Sequence, residues 1–160
     1  MRVVRYGGRD VKLSPHFTLA EATKSQTAER LEIDNSPSDE VIERMRLVAE
    51  HILEPVRENY RRAVTVNSFY RCLDLNRQIG SKDTSQHVTG EAVDFEVAGV
   101  PNPVVAEWVR DNLVYDQCIL EFHTPGKPDS GWVHVSYSQA IARKQCLTIN
   151  AQGTQQGLVA

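Results

Sequence analysis

The sequence predicts an α+β domain, and three observations carry that expectation. Segments with helical apolar spacing and recognisable start signals fill much of the first half of the chain. Runs rich in β-branched and aromatic residues, alternating as strands do, dominate the second half. The two kinds are largely segregated rather than interleaved, which is the α+β layout and not the parallel α/β one. At 160 residues, with 41% hydrophobic and 24% charged residues, the chain has the size and composition of one globular domain with a core of its own. That domain is placed over residues 1–149, and residues 150–160 are expected to be a flexible polar tail.

In chain order, Met1-Arg2-Val3-Val4-Arg5-Tyr6-Gly7-Gly8 lacks the apolar stretch of a signal peptide, and no run approaches the length of a membrane span. Cytoplasmic synthesis without a leader is expected, with no membrane partner. Thr18-Leu19-Ala20-Glu21 has the pattern of a capping box, in which threonine and glutamate each satisfy an orphan amide at a helix start. Ser36-Pro37-Ser38-Asp39 starts another helix, with Ser36 at the cap, Pro37 at the first helical position and Asp39 in the first turn. Val41, Met45, Val48, Ile52, Val56 and Tyr60 then follow helical spacing and give one buried stripe. Pro55 lies inside it, which predicts a kink or break near Leu53-Glu54. His51 sits beside the stripe and is read as structural or solvated.

Val64-Thr65-Val66-Asn67-Ser68-Phe69-Tyr70 is β-branched and aromatic, hence a strand. Residues 73–79 form a short helix ended by Gly80. Ala92-Val93-Asp94-Phe95-Glu96-Val97 alternates as a strand, and residues 103–113 form an amphipathic helix carrying Val104, Val105, Trp108, Val109 and Leu113. Residues 115–123 and 131–137 are strands joined by the turn Pro125-Gly126-Lys127-Pro128-Asp129-Ser130. The formal charge of -3 offers no basic field for nucleic acid. Cys72, Cys118 and Cys146 are odd in number and show no paired spacing, so neither a disulfide framework nor a thiolate zinc site is indicated. Cys118 is expected simply to pack in its strand, and the chain to be a monomer.

The chemistry concentrates in Ser85-Gln86-His87-Val88-Thr89-Gly90-Glu91-Ala92-Val93-Asp94 and in Gly131-Trp132-Val133-His134-Val135-Ser136-Tyr137. Two imidazoles and a carboxylate are a common three-ligand set for a Zn2+ ion that keeps one position open for water. Donors on one tetrahedral zinc lie only about 3 to 3.5 Å apart, whereas the extended chain from His87 to Asp94 would span about 23 Å. The segment must fold back, and Thr89-Gly90 is the natural turn. Beyond it, alternation sets Asp94 and Glu96 on one face and Val93, Phe95 and Val97 on the other. His134 likewise shares a face with Trp132 and Ser136, opposite Val133, Val135 and Tyr137. Read singly, His87 would be a loop residue, Asp94 an arginine partner and His134 a sheet histidine; together they point to a metal.

With these residues in place, the chain resembles the M15 peptidases, the zinc D-alanyl-D-alanine carboxypeptidase family, and within it a branch common in phages. His16-Phe17-Thr18-Leu19-Ala20-Glu21, Asn35-Ser36-Pro37, Ser68-Phe69-Tyr70-Arg71 with Asn76, the block from Ser85 to Asp94, Gln117-Cys118-Ile119-Leu120-Glu121-Phe122 and Trp132-Val133-His134-Val135-Ser136-Tyr137 occur in the family's order. The resemblance implies the hedgehog/DD-peptidase fold, with helices packed on a small antiparallel sheet. It also implies cleavage of peptidoglycan stem peptides or cross-links, with His87, Asp94 and His134 holding Zn2+. It puts the substrate-binding and catalytic arginine at Arg71; from the residues alone, a surface salt bridge is the simpler reading.

A peptidase of this kind needs an acidic side chain to accept a proton from water and pass it to the leaving amine. Glu121 is the candidate, because Ile119, Glu121 and His123 share one face of a strand expected to neighbour the His134 strand. Many relatives carry the acid a few residues before the last histidine, where this chain offers only Gly131, Ser130 and, further back, Asp129. His123 and Asp129 are therefore competitors. Ser85, Gln86 and Ser136 are expected either to hydrogen-bond the substrate peptide or to stabilise the turns they occupy, and Asn76 to fix the Arg71 loop. A leaderless wall-degrading enzyme fits a phage endolysin released through a holin, or a host's own wall turnover. Two other readings use the same residues: a non-haem iron oxygenase, whose first histidine and acid usually lie closer in sequence, and a non-catalytic wall-binding or morphogenetic module that retains the fold.

Overall fold

A computed structural model describes residues 11–159, and residues 1–8, expected to carry no leader, lie outside that range. The capping box forms as its spacing requires. Thr18 Oγ1 accepts from the Glu21 amide at 3.2 Å while Glu21 Oε2 accepts from the Thr18 amide at 3.1 Å, which starts helix α1 (Leu19–Thr23). A two-stranded ribbon, β1 (Lys12–Ser14) and β2 (Phe17–Thr18), leads into it. Helix α2 (Gln26–Arg30), too short to show a period in the sequence, is started by Ser25, whose Oγ accepts from the Ala28 amide at 3.2 Å.

Helix α3 (Asp39–Val48) is capped by Ser38 and not by Ser36, a correction of two residues. Asp34 explains it: its Oδ1 accepts from both the amide and the hydroxyl of Ser36, at 3.1 and 2.5 Å. This local turn keeps Ser36 out of the helix. Pro55 does its expected work without a sharp break. A wider π-helical segment, Ala49–Leu53, lets the Glu54 amide reach back to the Ala49 carbonyl, and helix α4 (Glu54–Tyr60) follows with Pro55 in its first turn, where no amide is needed. The stripe is buried as its spacing implies: Met45, Val48, Ile52 and Val56 have no exposed surface. His51 stacks on Tyr137 with ring centroids 4.4 Å apart.

The remaining elements are β3 (Val64–Ser68), α5 (Leu73–Gln78), β4 (Ala92–Val97), α6 (Asn102–Asn112), β5 (Gln117–Glu121), β6 (Trp132–Ser136), β7 (Gln145–Asn150) and β8 (Gly153–Gln156). Six strands form one sheet in the order β3-β4-β6-β5-β7-β8. Two expectations are corrected here. The sheet is mixed and not wholly antiparallel, because β6 lies between β4 and β5, so the chain leaving β6 must join the far edge of β5 and run parallel to it. The supposed frayed tail contains strand β8, paired with β7 from Leu147↔Gln156 to Asn150↔Gly153. Its polar, exposed residues hid an edge strand held by backbone bonds.

Alternation divides the sheet into two faces. Val93, Phe95, Val97, Cys118, Val133 and Val135 point into the helix-covered core and are buried. Asp94, Ile119, Glu121, Trp132 and His134 line the opposite face. The result is a mixed α+β domain, and among the described residues no helix is long and apolar enough to cross a membrane. Gly131 sets the end of β6. It has φ +69°, and a Cβ there would overlap the carbonyl oxygen of Glu121 and crowd the backbone of Phe122 and His123. Because backbone cannot yield as a side-chain tip can, Gly131→Ala is expected to cost more than about 3 kcal/mol of stability, measured as a lowered urea midpoint against wild type. An unchanged midpoint would contradict this packing.

Candidate metal centre

The register of β4 on β6 sets Asp94 opposite His134, and the adjoining register sets His134 opposite Ile119 on β5. Glu121 lies two residues along β5, paired with Trp132, so it is diagonal to His134 on the same face. His87 arrives from a loop. Gly90, at φ +77°, turns that loop back, and its missing Cβ leaves room for Val41 and Met45 of α3. One ligand atom from each of His87, Asp94 and His134 lies within 4.8 Å of the others, and the three residues are 2%, 8% and 8% exposed.

Each imidazole presents a defined nitrogen. His87 Nδ1 lies 2.6 Å from the Phe69 carbonyl oxygen, so it carries the proton and donates, leaving Nε2 directed at Asp94 Oδ2, 3.3 Å away. His134 turns Nδ1 to Asp94 Oδ1 at 2.8 Å. The two rings stand edge to face with centroids 5.1 Å apart. Burial pushes the His87 pKa down more than Asp94 raises it, which favours the neutral ring. Burial also pushes the Asp94 carboxyl up, but the attraction of His87 when that ring is charged and the hydrogen bond donated by His134 outweigh it and hold the group below the usual carboxylate range. For His134 the penalty of burial is overcome by the hydrogen bond its Nδ1–H donates to Asp94, and its pKa rises. Metal ligation needs imidazole lone pairs and an ionised carboxylate converging on one point. The His87-Asp94-His134 group supplies those donor types at that separation and could hold a metal ion.

Glu121 Oε1 lies 3.6 Å from His134 Nδ1. Burial, and then the Asp94 charge, raise its pKa against the pull of His134 and Arg71. The Trp132 indole also lowers it by proximity, although its N–H makes no hydrogen bond of ordinary geometry. Of the two competing bases, His123 is buried with Nδ1 3.3 Å from Ser130 Oγ, and Asp129 is exposed in the turn before β6. Among the described residues neither makes a hydrogen bond or ion pair with His87, Asp94 or His134.

Arg71 lines a cleft of about 490 Å³ together with Asp94 and Trp132. Burial lowers its pKa against the attraction of Asp94 and Glu121, and its Nε is buried without a hydrogen-bond partner. Its position is fixed from two sides. The Arg71 amide donates to the His87 carbonyl at 3.2 Å. Asn35 Nδ2 donates to the carbonyls of Thr23 and Tyr70 at 3.0 and 3.1 Å, while its Oδ1 accepts from the Cys72 amide at 2.7 Å. The sequence marked Asn35 only as part of a supporting block; a buried asparagine that joins three distant backbone groups has no local signature.

The structure gives three of the expected substrate contacts other partners. Ser136 is fully buried, and its hydroxyl accepts from the Gln117 amide at 3.0 Å. Gln86 donates through Nε2 to Asp116 Oδ2 at 2.9 Å, and Ser85 Oγ accepts from the His87 amide at 3.3 Å. Each of the three thus has a partner inside the fold, while Gln86 Oε1 is left without one. Asn76 fixes the loop leading to Ser85, donating to the Lys82 carbonyl at 2.8 Å, while its Oδ1 is buried without a hydrogen-bond partner.

Comparison with known proteins agrees with this site. A family model described as Peptidase M15 matches residues 15–136, a span that contains His87, Asp94, Glu121, His134 and Arg71. No curated protein matches the chain.

Asp116, which no sequence pattern singled out, anchors the far side of the His87 loop. Besides Gln86, its carboxylate accepts two side-chain bonds from Arg143, each 2.8 Å, and the Arg143 amide at 3.0 Å. The Arg143 bonds, which outweigh the cost of burial, hold its pKa at about 2. Since an unfolded aspartate titrates near ~3.9, the resulting stability is complete above that pH and is lost as pH falls towards 2. Asp116→Asn is therefore expected to lower stability at neutral pH and to flatten the loss between about pH 4 and 2, read from urea unfolding at several pH values. Equal slopes for the two proteins would refute the linkage.

Proposed function

Because the chain belongs to the M15 peptidases, we propose that it is a zinc-dependent hydrolase of peptide bonds in peptidoglycan stem peptides or cross-links, built on the hedgehog/DD-peptidase fold. One observation carries the reading: the buried His87-Asp94-His134 group with a second acidic side chain, Glu121, 3.6 Å from one of its imidazoles. Two histidines and one carboxylate leave a tetrahedral zinc one open position, the arrangement of a catalytic and not a structural site. A zinc ion bound there supplies Lewis acidity, lowering the pKa of water in its open position and polarising a carbonyl.

The chain's own groups do the rest. His87 keeps its protonated nitrogen on the Phe69 carbonyl, which fixes the ring and frees the opposite nitrogen. Glu121, raised in pKa by its burial beside Asp94, takes the proton of the attacking water and returns it to the leaving amine, the task for which a carboxylate tuned upward is suited. Arg71 offers the planar fork that recognises a substrate carboxylate or a carbonyl oxygen gaining charge, and its unpartnered Nε supports that role. Trp132 and Arg71 border the cleft next to Asp94 and orient the peptide there. The cell wall as place of action, and release of a phage lysin through a holin, are parts of the same proposal.

The test is incubation of purified protein with peptidoglycan, with and without chelator, followed by mass spectrometry of the soluble products. Chelator-sensitive release of amino acids or peptides is expected, and the masses identify the bond. Binding without release would overturn the enzymatic reading in favour of a wall-binding module. His87→Ala and Asp94→Ala should each abolish zinc retention, measured by elemental analysis, along with activity. Glu121→Gln should keep the metal and lose about 10²- to 10⁴-fold in turnover; a fully active Glu121→Gln protein would assign the base elsewhere.

A further inference from the structure

The cleft beside the metal centre is lined not only by Arg71 but also by Lys24 and Ser25 of the connection between α1 and α2 and by Gln26 of α2. Lys24 is exposed and makes no ion pair among the described residues. It is not loosely placed, however. The residue before it, Thr23, gives its carbonyl to Asn35 Nδ2, and the same asparagine holds Tyr70 and Cys72, the neighbours of Arg71. A further bond, from the Tyr70 amide to the Ala22 carbonyl at 3.0 Å, ties the two segments again. One buried side chain thus fixes the backbone beneath both cations of the cleft.

The charge balance of this cleft is opposite to that of the whole protein. Lys24 and Arg71 are its cationic lining residues, and Asp94 is its acidic one; Asp94 is already committed to both imidazoles. The full chain carries a formal charge of -3, so the cationic lining is a local feature and not a consequence of composition. With Asp94 engaged by the imidazoles, the two cations are the lining charges left to a ligand, and they favour an anionic one.

We propose that Lys24 is a specificity-determining residue that receives a carboxylate of the substrate peptide lying away from the bond that is cut, while Arg71 serves the reacting end. The inference rests on the peptidase reading above and deepens it: the preferred substrate is a stem peptide whose γ-linked D-glutamate keeps its α-carboxylate free, over the same peptide with that group converted to the primary amide. Because Lys24 is exposed, its charge is screened, and the preference is modest and falls as salt is raised.

Isothermal titration of these two synthetic pentapeptides, acid and amide, into the wild type, Lys24→Gln and Lys82→Gln, with and without Zn2+, tests it. Lys82 is an exposed lysine outside the cleft and controls for overall charge. The acid peptide is expected to bind about three- to fivefold more tightly than the amide to wild type and to Lys82→Gln, and equally to Lys24→Gln. Equal affinities in the wild type, or a preference that survives Lys24→Gln, would overturn the proposal while leaving the peptidase reading intact. Loss of the preference in Lys82→Gln as well would also overturn it, since the effect would then be one of net charge. Failure of the zinc-loaded wild type to cleave either peptide or peptidoglycan counts against the peptidase reading, and the acid-to-amide affinity ratio still decides the role of Lys24.

Discussion

Everything in the site depends on the antiparallel register that sets Asp94 of β4 opposite His134 of β6. Side chains on a strand alternate between faces, so a slip of one residue would carry Asp94 into the helix-covered core and bring Val93 or Phe95 to the cleft. That error is heavily penalised, because it would bury a carboxylate among apolar side chains and expose the valines and phenylalanine that fill the core. Hydrophobic burial on one face of the sheet therefore specifies polar chemistry on the other. The same strand pairing places Glu121 diagonal to His134 without any interaction of its own being needed to hold it there.

His87 is the exception, since it comes from a loop, and the molecule restrains it accordingly. The Phe69 carbonyl fixes its ring, the Arg71 amide binds its carbonyl, and Gly90 lets its loop close against α3. On the other side Asp116 takes the Gln86 amide group while bonded to Arg143. The connection from β6 to β7, which crosses the end of β5, is thus pinned to the loop that carries the first histidine. Arg71 and His87 belong to segments that hold each other, so the cation and the imidazole are positioned as a unit.

The electrostatics follow from burial and partnership. Asp94 stays ionised between two imidazoles in spite of its burial, whereas Glu121, a short distance away and facing the Asp94 charge, is driven the other way. Neighbouring carboxyls pushed apart in pKa are the usual sign that one binds and the other exchanges protons. The lowered pKa of half-buried Arg71 and its unpartnered Nε go together: the cleft leaves hydrogen-bonding capacity unsatisfied beside Asp94.

Much of this was legible in the chain. The alternation around Asp94 and His134, the turn at Gly90, the capping box at Thr18 and the helix irregularity before Pro55 are local patterns, and local patterns act through backbone geometry and burial, which neighbouring residues determine. The sequence by itself therefore determined the mixed helix-and-strand content, the faces of the two central strands and the set of residues able to meet at a metal. Other features were decided by contacts between segments far apart in the chain. The helix cap moved from Ser36 to Ser38 because Asp34 captured the first serine. Ser136 and Gln86 found internal partners in Gln117 and Asp116, which no local pattern announces. Strand β8 is polar and exposed, with no burial to write a period into its residues, and exists through backbone pairing alone. Only the tertiary structure decided which polar groups remained free to face the cleft, because a hydrogen-bonding side chain carries no record of its partner until long-range pairing brings one within reach.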